Sequence, residues 1–395
     1  MKKRQAKPVK RRKKKPLVIP ECKHFTGYRP CFPERNCLDG CVDPQLPGTR
    51  ILIVNLEAMG NVLVTTTLLP AIKRKYPTST ISWITLANAY RLLDNNPLID
   101  HVYIWNDENR MMLQEMYFDA VMNIDKSRCA GAFTMALYAG KKLGYGMNNN
   151  GVIIPLNKEA EYNYRLGLDD TLKFRVNQKP NSQLLTEAMG LKYCRDEYIL
   201  NLSHEEEGYC NLYRREMEIA GKFVVGLNTG CSLLYPHKKL QVDQHVVLIE
   251  ELSQREDIRL LLLGGPEDTM RNAEIKRCVG DKVVNTPTTE GLRRGICYEN
   301  LCDVIISGDS FGMHAAIGLK KHVIAWFGVS CPQEIDLFDR GVKLIPEGLV
   351  CSPCWKKECP YNLECIQMVD LDRIVREVDT FSSTKWKNKR APLIL

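Results

Sequence analysis

Short, largely apolar runs punctuate the chain, separated by turn-forming residues and helical patterns. Ile51 to Val54, Ile81 to Leu86, His101 to Trp105, Ala120 to Met122, Val224 to Leu227, Ile258 to Leu263, Val304 to Ile306 and His322 to Phe327 all have this character. Such runs predict strands buried on both faces, as in parallel sheets. Between them the apolar period lengthens. Leu63, Leu68, Leu69 and Ile72 predict a helix over Val62 to Tyr76, stopped by Pro77. Met313 to Leu319 predicts another, with Asp309 or Ser310 as its N-cap and Lys320-Lys321 at the end that favours cations. Asp370 to Val378 predicts a third. Residues 140–205 are polar and irregular. They predict loops and one amphipathic segment, YNYRLGLDDTLKF, leading into an interdomain linker. Strand alternating with helix implies doubly wound α/β domains that bind ligands beyond the C-terminal ends of their strands.

Length and charge refine this picture. A chain of 395 residues accommodates two or three domains. Its 44% hydrophobic and 26% charged residues are ordinary for a globular protein. The net charge of +8 is local: residues 1–15 hold ten Lys and Arg and no acid, and removing those ten leaves the rest near −2. Residues 1–19 therefore read as a disordered basic arm suited to an anionic membrane surface, with nucleic acid the less favoured partner. No apolar run is long enough to span a bilayer, and no apolar stretch of the signal-peptide kind follows the basic start, so a cytoplasmic chain is expected. In that compartment the 16 cysteines predict thiols and metal ligands rather than disulfides. The expected divisions are the arm at 1–19, a Cys-rich extension at 20–48, α/β domains at 49–205 and 206–368, and a helix with a basic tail at 369–395.

Candidate chemistry collects where strands end. Gly308, Asp309, Ser310 and His314 crowd one tight loop between the last two predicted strands. Gly230 and Ser232 precede Lys238 and Lys239, a combination of backbone donors and cations able to hold a diphosphate. Gly264 and Gly265 open backbone to a ligand, and Glu267 follows as a partner for ribose hydroxyls. In the other half, Gly60 sits in the first strand-to-helix turn. Two clusters suit a soft metal. Cys351, Cys354, Cys359 and Cys365 follow a C-x2-C-x4-C-x5-C pattern that predicts a closed zinc or iron site. Cys22, His24, Cys31, Cys37 and Cys41 form a second group, where zinc or an iron–sulfur cluster competes with a loop of unpaired thiols.

The run GDS-x-x-MH-x-A at 308–316 resembles the nucleotide-sugar loop of glycosyltransferase family 9, the lipopolysaccharide heptosyltransferases. The resemblance extends to the first turn, the T-T-x-L-L-P helix start, N-P-x-I-D-x-V, the G-x-S-x-x-x-K segment with Leu240 in place of an aromatic, and the CSPC motif. It covers about residues 50–380. It implies a GT-B fold of two Rossmann-like domains facing a cleft. It further implies inverting transfer of a sugar, heptose from ADP-heptose, to a hydroxyl of a glycan or glycolipid acceptor, with no catalytic metal required. Asp309 would then meet sugar hydroxyls, while Ser310, Gly312, Met313 and His314 line the diphosphate. Gly60 and residue 61 would face the acceptor. The family commonly carries its general-base Asp at that position, where this chain has Asn61, and an amide cannot take the proton. Glu57 and Asp125 are the alternative bases. A nucleotide-sugar- or glycan-binding protein that kept the transferase fold is the rival reading, and a nucleic-acid-binding protein a weaker one.

Overall fold

In the computed structural model, residues 17–32, 36–38, 41–56 and 58–390 are described, the side chains of 385–390 excepted. Two six-stranded sheets organise the chain. The first is built from β1 (Thr49–Val54), β2 (Ser79–Thr85), β3 (His101–Ile104), β4 (Tyr117–Asn123), β5 (Tyr138–Met147) and β6 (Ile153–Pro155), in the order β3-β2-β1-β4-β5-β6. The second comprises β7 (Phe223–Asn228), β8 (Ile258–Leu263), β9 (Val284–Asn285), β10 (Val304–Gly308), β11 (His322–Trp326) and β12 (Gly341–Leu344), ordered β12-β11-β10-β7-β8-β9. All pairings are parallel except β5 with β6. Every residue of β2, β7 and β10 is buried, which is why β7 and β10 read as largely apolar runs, while β2 also buries Ser79, Thr80, Ser82 and Thr85.

Three local expectations are corrected. The helix expected over Val62 to Tyr76 is two helices, Met59–Thr65 and Leu68–Lys75. The hydroxyls of Thr66 and Thr67 donate to the carbonyls of Leu63 and Val64, at 2.6 and 2.7 Å, and so compete with the helical ladder where it breaks. Residues 140–205 are more regular than their polarity suggests. They contain most of the ten-residue strand β5, whose first half is largely exposed, and a helix at Asn181–Ala188. The terminal helix runs from Leu371 to Arg390 and joins the second domain's core through Ile374 and Val378, both fully buried.

The domains are joined through residues 189–203, which are tied to both. On one side Asp196 takes both terminal nitrogens of Arg74, and the Ile199 amide donates to Thr66 Oγ1 at 2.9 Å. On the other, Arg195 binds Asp336 and Asp339, and Glu197 binds Arg340 at 2.8 Å. Apolar packing is continuous between the domains here, running from Val62 and Leu63 through Tyr198 and Leu200 to Ala315 and Ala316. The ends of β1, β4, β7, β10 and β11 therefore open onto one shared cleft.

Candidate active site

The second domain's part of the site is a polar knot at the ends of β7 and β10. Asn228, the last residue of β7, donates through Nδ2 to Ser307 Oγ at 2.9 Å and Ser310 Oγ at 2.8 Å. Gly312 lies so close that a Cβ there would stand 2.7 Å from the Asn228 amide. Gly308 is equally constrained, its missing Cβ 2.2 Å from the Lys238 carbonyl, which also accepts from Trp326 Nε1 at 2.9 Å. The backbone of Lys238 is thus locked, and its ammonium reaches Asp309 at 2.7 Å, with each side chain only 11% exposed. Burial pushes the Asp309 carboxyl upward, but Lys238 and His314 more than offset it and hold it below its ordinary value. Ser310 occupies the N-cap position of the helix Phe311–Gly318 without capping it. Its hydroxyl serves Asn228 and the Asp309 carboxylate serves Lys238, so neither side chain caps the helix start as expected from the sequence.

His314 carries the site across to the first domain. Its ring is buried, with Nε2 3.8 Å from Asp309 and Nδ1 3.4 Å from the Tyr198 hydroxyl, whose ring stacks on it. Gly60 presses against the imidazole: a Cβ at 60 would stand 2.6 Å from His314 Cδ2. Ala58, just before, has a left-handed φ of 53°, a conformation that costs an L-residue energy at this turn. Asn61 is exposed beside them. Asp125, beyond the end of β4, is buried and accepts from the Leu56 amide at 2.5 Å, so it braces the same turn. Glu57 lies outside the described residues.

Sequence reasoning missed four side chains in this cleft. Lys126 sits over the Tyr145 ring at 4.9 Å and donates to the Asn163 carbonyl at 2.6 Å. Solvent still reaches it, yet protein surrounds the ammonium enough that burial, then repulsion from Lys173, push it down to about 8. Lys173 stands 3.8 Å from Glu334, a nearly buried carboxyl that burial raises above its ordinary value against the pull of Lys173. Trp355, in the C-terminal cysteine loop, lies under Lys173 and Lys238. Position could have revealed two of them: Lys126 follows Asp125, and Glu334 lies shortly beyond the end of β11.

The sequence profile of glycosyltransferase family 9 (heptosyltransferase) matches residues 110–364, well over half of the chain. The chain belongs to that family. A lipooligosaccharide heptosyltransferase 2 from Campylobacter jejuni is 26% identical over 171 residues, which are 41% of this chain and 52% of the relative. The match thus spans about half the length of that curated relative. Among solved structures, a family 9 glycosyltransferase from Veillonella parvula aligns with a TM-score of 0.66 at 15% identity, covering 85% of this chain and 97% of the other. The ADP-heptose lipopolysaccharide heptosyltransferase II of E. coli aligns at 0.63 and 16% identity, covering 85% and 99%. At these identities the likeness is one of fold, and the fold is the expected GT-B arrangement.

Against that family frame, some sequence expectations change. The family match begins at residue 110, beyond the Gly60–Asn61 turn, and ends before Cys365. The Met313 side chain is fully buried in the core, so only its backbone amide is left to line a diphosphate. Ser232 is exposed and spends its hydroxyl on the Leu234 amide at 3.2 Å. Lys239 is half-buried near Asp268. Glu267 is exposed, whereas its neighbour Asp268 is buried, accepts from the Gly265 amide at 3.0 Å, and packs where a Cβ on Gly230 or Gly264 would collide. The nearer structural carboxylate is therefore Asp268.

Among the described residues, no three His, Cys, Asp or Glu side chains are arranged to hold a metal ion. Cys351, Cys354, Cys359 and Cys365 nevertheless line one small cavity of about 30 Å³. Burial, then the other three thiols, push Cys365 up to about 11, so the four sulfurs lie within electrostatic reach of one another. Cys22, His24, Cys31, Cys37 and Cys41 line a cavity of about 200 Å³, far wider than one ion requires. His24 lies 3.3 Å from Gln45 Oε1. Four thiols around one small cavity make a donor set suited to a soft metal, although as placed they do not form a coordination shell; the N-terminal group surrounds a wider space.

Burial, partly opposed by Asp309, holds His314 below the ordinary imidazole value of 6.5. The unfolded chain therefore binds more protons just below pH 6.5, and folding stability falls as the pH drops through that window. Melting temperatures between pH 7.5 and 5.5 should decline in the wild type and decline less in His314→Asn. An unchanged slope would remove His314 from the titrating groups.

Proposed function

We propose that the protein is an inverting glycosyltransferase that moves a sugar, heptose from ADP-heptose, to a hydroxyl of a lipopolysaccharide-core or other cell-envelope glycan. The observation that carries this reading is the Lys238–Asp309 pair at the end of β10, beside an uncapped helix start. Inversion is one in-line displacement at the anomeric carbon, and its barrier falls when the charge developing on the leaving diphosphate is met by fixed donors. Lys238, Lys239 and the amides following Ser310 supply that field, with Asp309 assigned to sugar hydroxyls. ADP-heptose is named by a similar structure of the same fold, and the family assignment supports the reaction class.

The acceptor proton goes to Asp125 in this reading, because Asn61 cannot accept it and Asp125 shares the turn. A non-catalytic binding protein is the second reading. Asn61, together with the Asp125 bond to the Leu56 amide, favours it. The cysteine loop at 351–365 is assigned a structural zinc or iron held by its four thiolates, which would cross-link the loop. The basic residues 1–19 are assigned to an anionic membrane surface on sequence alone, since 1–16 lie outside the described residues. Among the described residues no helix is long and apolar enough to cross a membrane.

Three outcomes test the proposal. Asp309→Ala and Lys238→Ala should each weaken nucleotide-sugar binding by about tenfold or more in calorimetric titrations, equivalent to about 1.4 kcal/mol. Wild-type titrations in both variants would place the donor elsewhere. Asp125→Asn should slow transfer by roughly 10²–10⁴-fold with donor affinity intact, as expected on losing a general base. If the natural chain transfers nothing and Asn61→Asp switches transfer on, the binding-protein reading takes over. Freshly purified reduced protein should contain close to one zinc or iron per chain, and a strong chelator should lower its melting temperature. Metal-free protein with an unchanged melt would refute the cross-link.

A further inference from the structure

The four-cysteine loop does more than close on itself: it delivers an aromatic ring to the donor lysine. The Lys238 and Lys173 ammoniums stand over the Trp355 ring, 4.4 and 4.5 Å from its centroid. Tyr235 meets the same indole edge-on at 5.2 Å and 84°. Each lysine also faces a carboxylate, Lys238 with Asp309 at 2.7 Å and Lys173 with Glu334 at 3.8 Å. Two cations drawn to one ring repel each other, and the negative face of an indole is a group that can hold both.

The ring is placed by backbone rather than by apolar packing. The amides of Cys354 and Trp355 both donate to the Val329 carbonyl, at 3.0 and 2.9 Å, and Ser352 Oγ donates to the Gly328 carbonyl at 2.8 Å. From the first domain's side, Arg175 clasps the carbonyls of Val350 and Ser352 at 2.7 and 3.2 Å. Trp355 itself adopts φ 50°, a left-handed conformation that a bulky residue enters only when its surroundings demand it. Its indole N–H is buried against the Cys331 thiol, which leaves the face of the ring to the two lysines.

We propose that Trp355 is a positioning residue through which the four-cysteine loop sets Lys238 against the nucleotide diphosphate. The inference rests on the donor site proposed above. It makes the chemical state of Cys351, Cys354, Cys359 and Cys365 a determinant of donor affinity, through one ring.

Calorimetric titration with ADP tests it, each variant first shown to melt cooperatively. Trp355→Leu and Cys351→Ser should each weaken ADP binding on the order of tenfold, and Trp355→Phe should restore most of the affinity. The double variant Trp355→Leu/Cys351→Ser should bind no worse than Trp355→Leu alone, because both changes remove the same contact. Should Trp355→Leu not melt cooperatively, Trp355→Met replaces it with the same loss expected, since Met keeps apolar bulk without an aromatic face. Wild-type affinity in Trp355→Leu or Trp355→Met, or multiplicative losses in the double variant, would each overturn the inference. Wild-type protein that binds no ADP would instead overturn the donor site itself.

Discussion

The two domains meet at a point where there is no room for a side chain. Gly60 approaches the His314 imidazole so closely that a methyl group there would overlap it. The ring has no easy retreat, since Tyr198 stacks on it and Asp309 faces its other nitrogen. Asp309 in turn holds Lys238. One missing Cβ therefore sets how near the Gly60 turn comes to the Lys238 cation, and on the proposed reading this is the spacing that brings the two partners of a transfer within reach. The left-handed Ala58 at the same turn suggests the energetic character of the site: backbone is held in an expensive conformation to bring the turn there.

Burying the Lys238–Asp309 pair also works against stability. Charges taken from water recover their desolvation cost only with good geometry and further polar partners, and removing one member of such a pair typically costs about 3–5 kcal/mol. Here the surrounding partners are unusually fixed. Asn228 joins Ser307 and Ser310, and the Lys238 carbonyl is held by Trp326. The core around these groups is apolar and tight, so the polar knot acts as one unit.

Much of this was legible in the chain because parallel strands leave a strong mark. Residues 304–306 and 258–263 read as strands from composition alone, and Gly308-Asp309-Ser310 marked a ligand loop because a buried strand has no other use for such residues. His314 and Lys238 were found the same way. What escaped depends on distance in sequence. Nothing near Lys173 announces Glu334, 161 positions along, and Trp355 reads only as part of a cysteine loop. Met313 misled because a motif was applied residue by residue, whereas the helix Phe311–Gly318 is buried from Gly312 onward and the Met313 side chain lies in the apolar core. Glu267 misled for the converse reason, since Asp268 beside it faces the glycines. β5 was hidden by its own exposed first half, where Tyr, Gly and Lys alternate without an apolar stripe.

The connection at 189–203 has a mechanical consequence. Domain linkers in two-lobed enzymes usually absorb the motion that admits substrate and releases product. This one is fastened to both lobes, by Arg74–Asp196 on one side and by Arg195–Asp336, Arg195–Asp339 and Glu197–Arg340 on the other. These fastenings are ionic and partly open to water, so mobile ions weaken them while leaving the buried Lys238–Asp309 pair much less affected. The protein thus has a catch on its outer edge whose stiffness is set by the surrounding electrolyte. The stiffness of the join between the domains is thereby a property of the medium as well as of the chain.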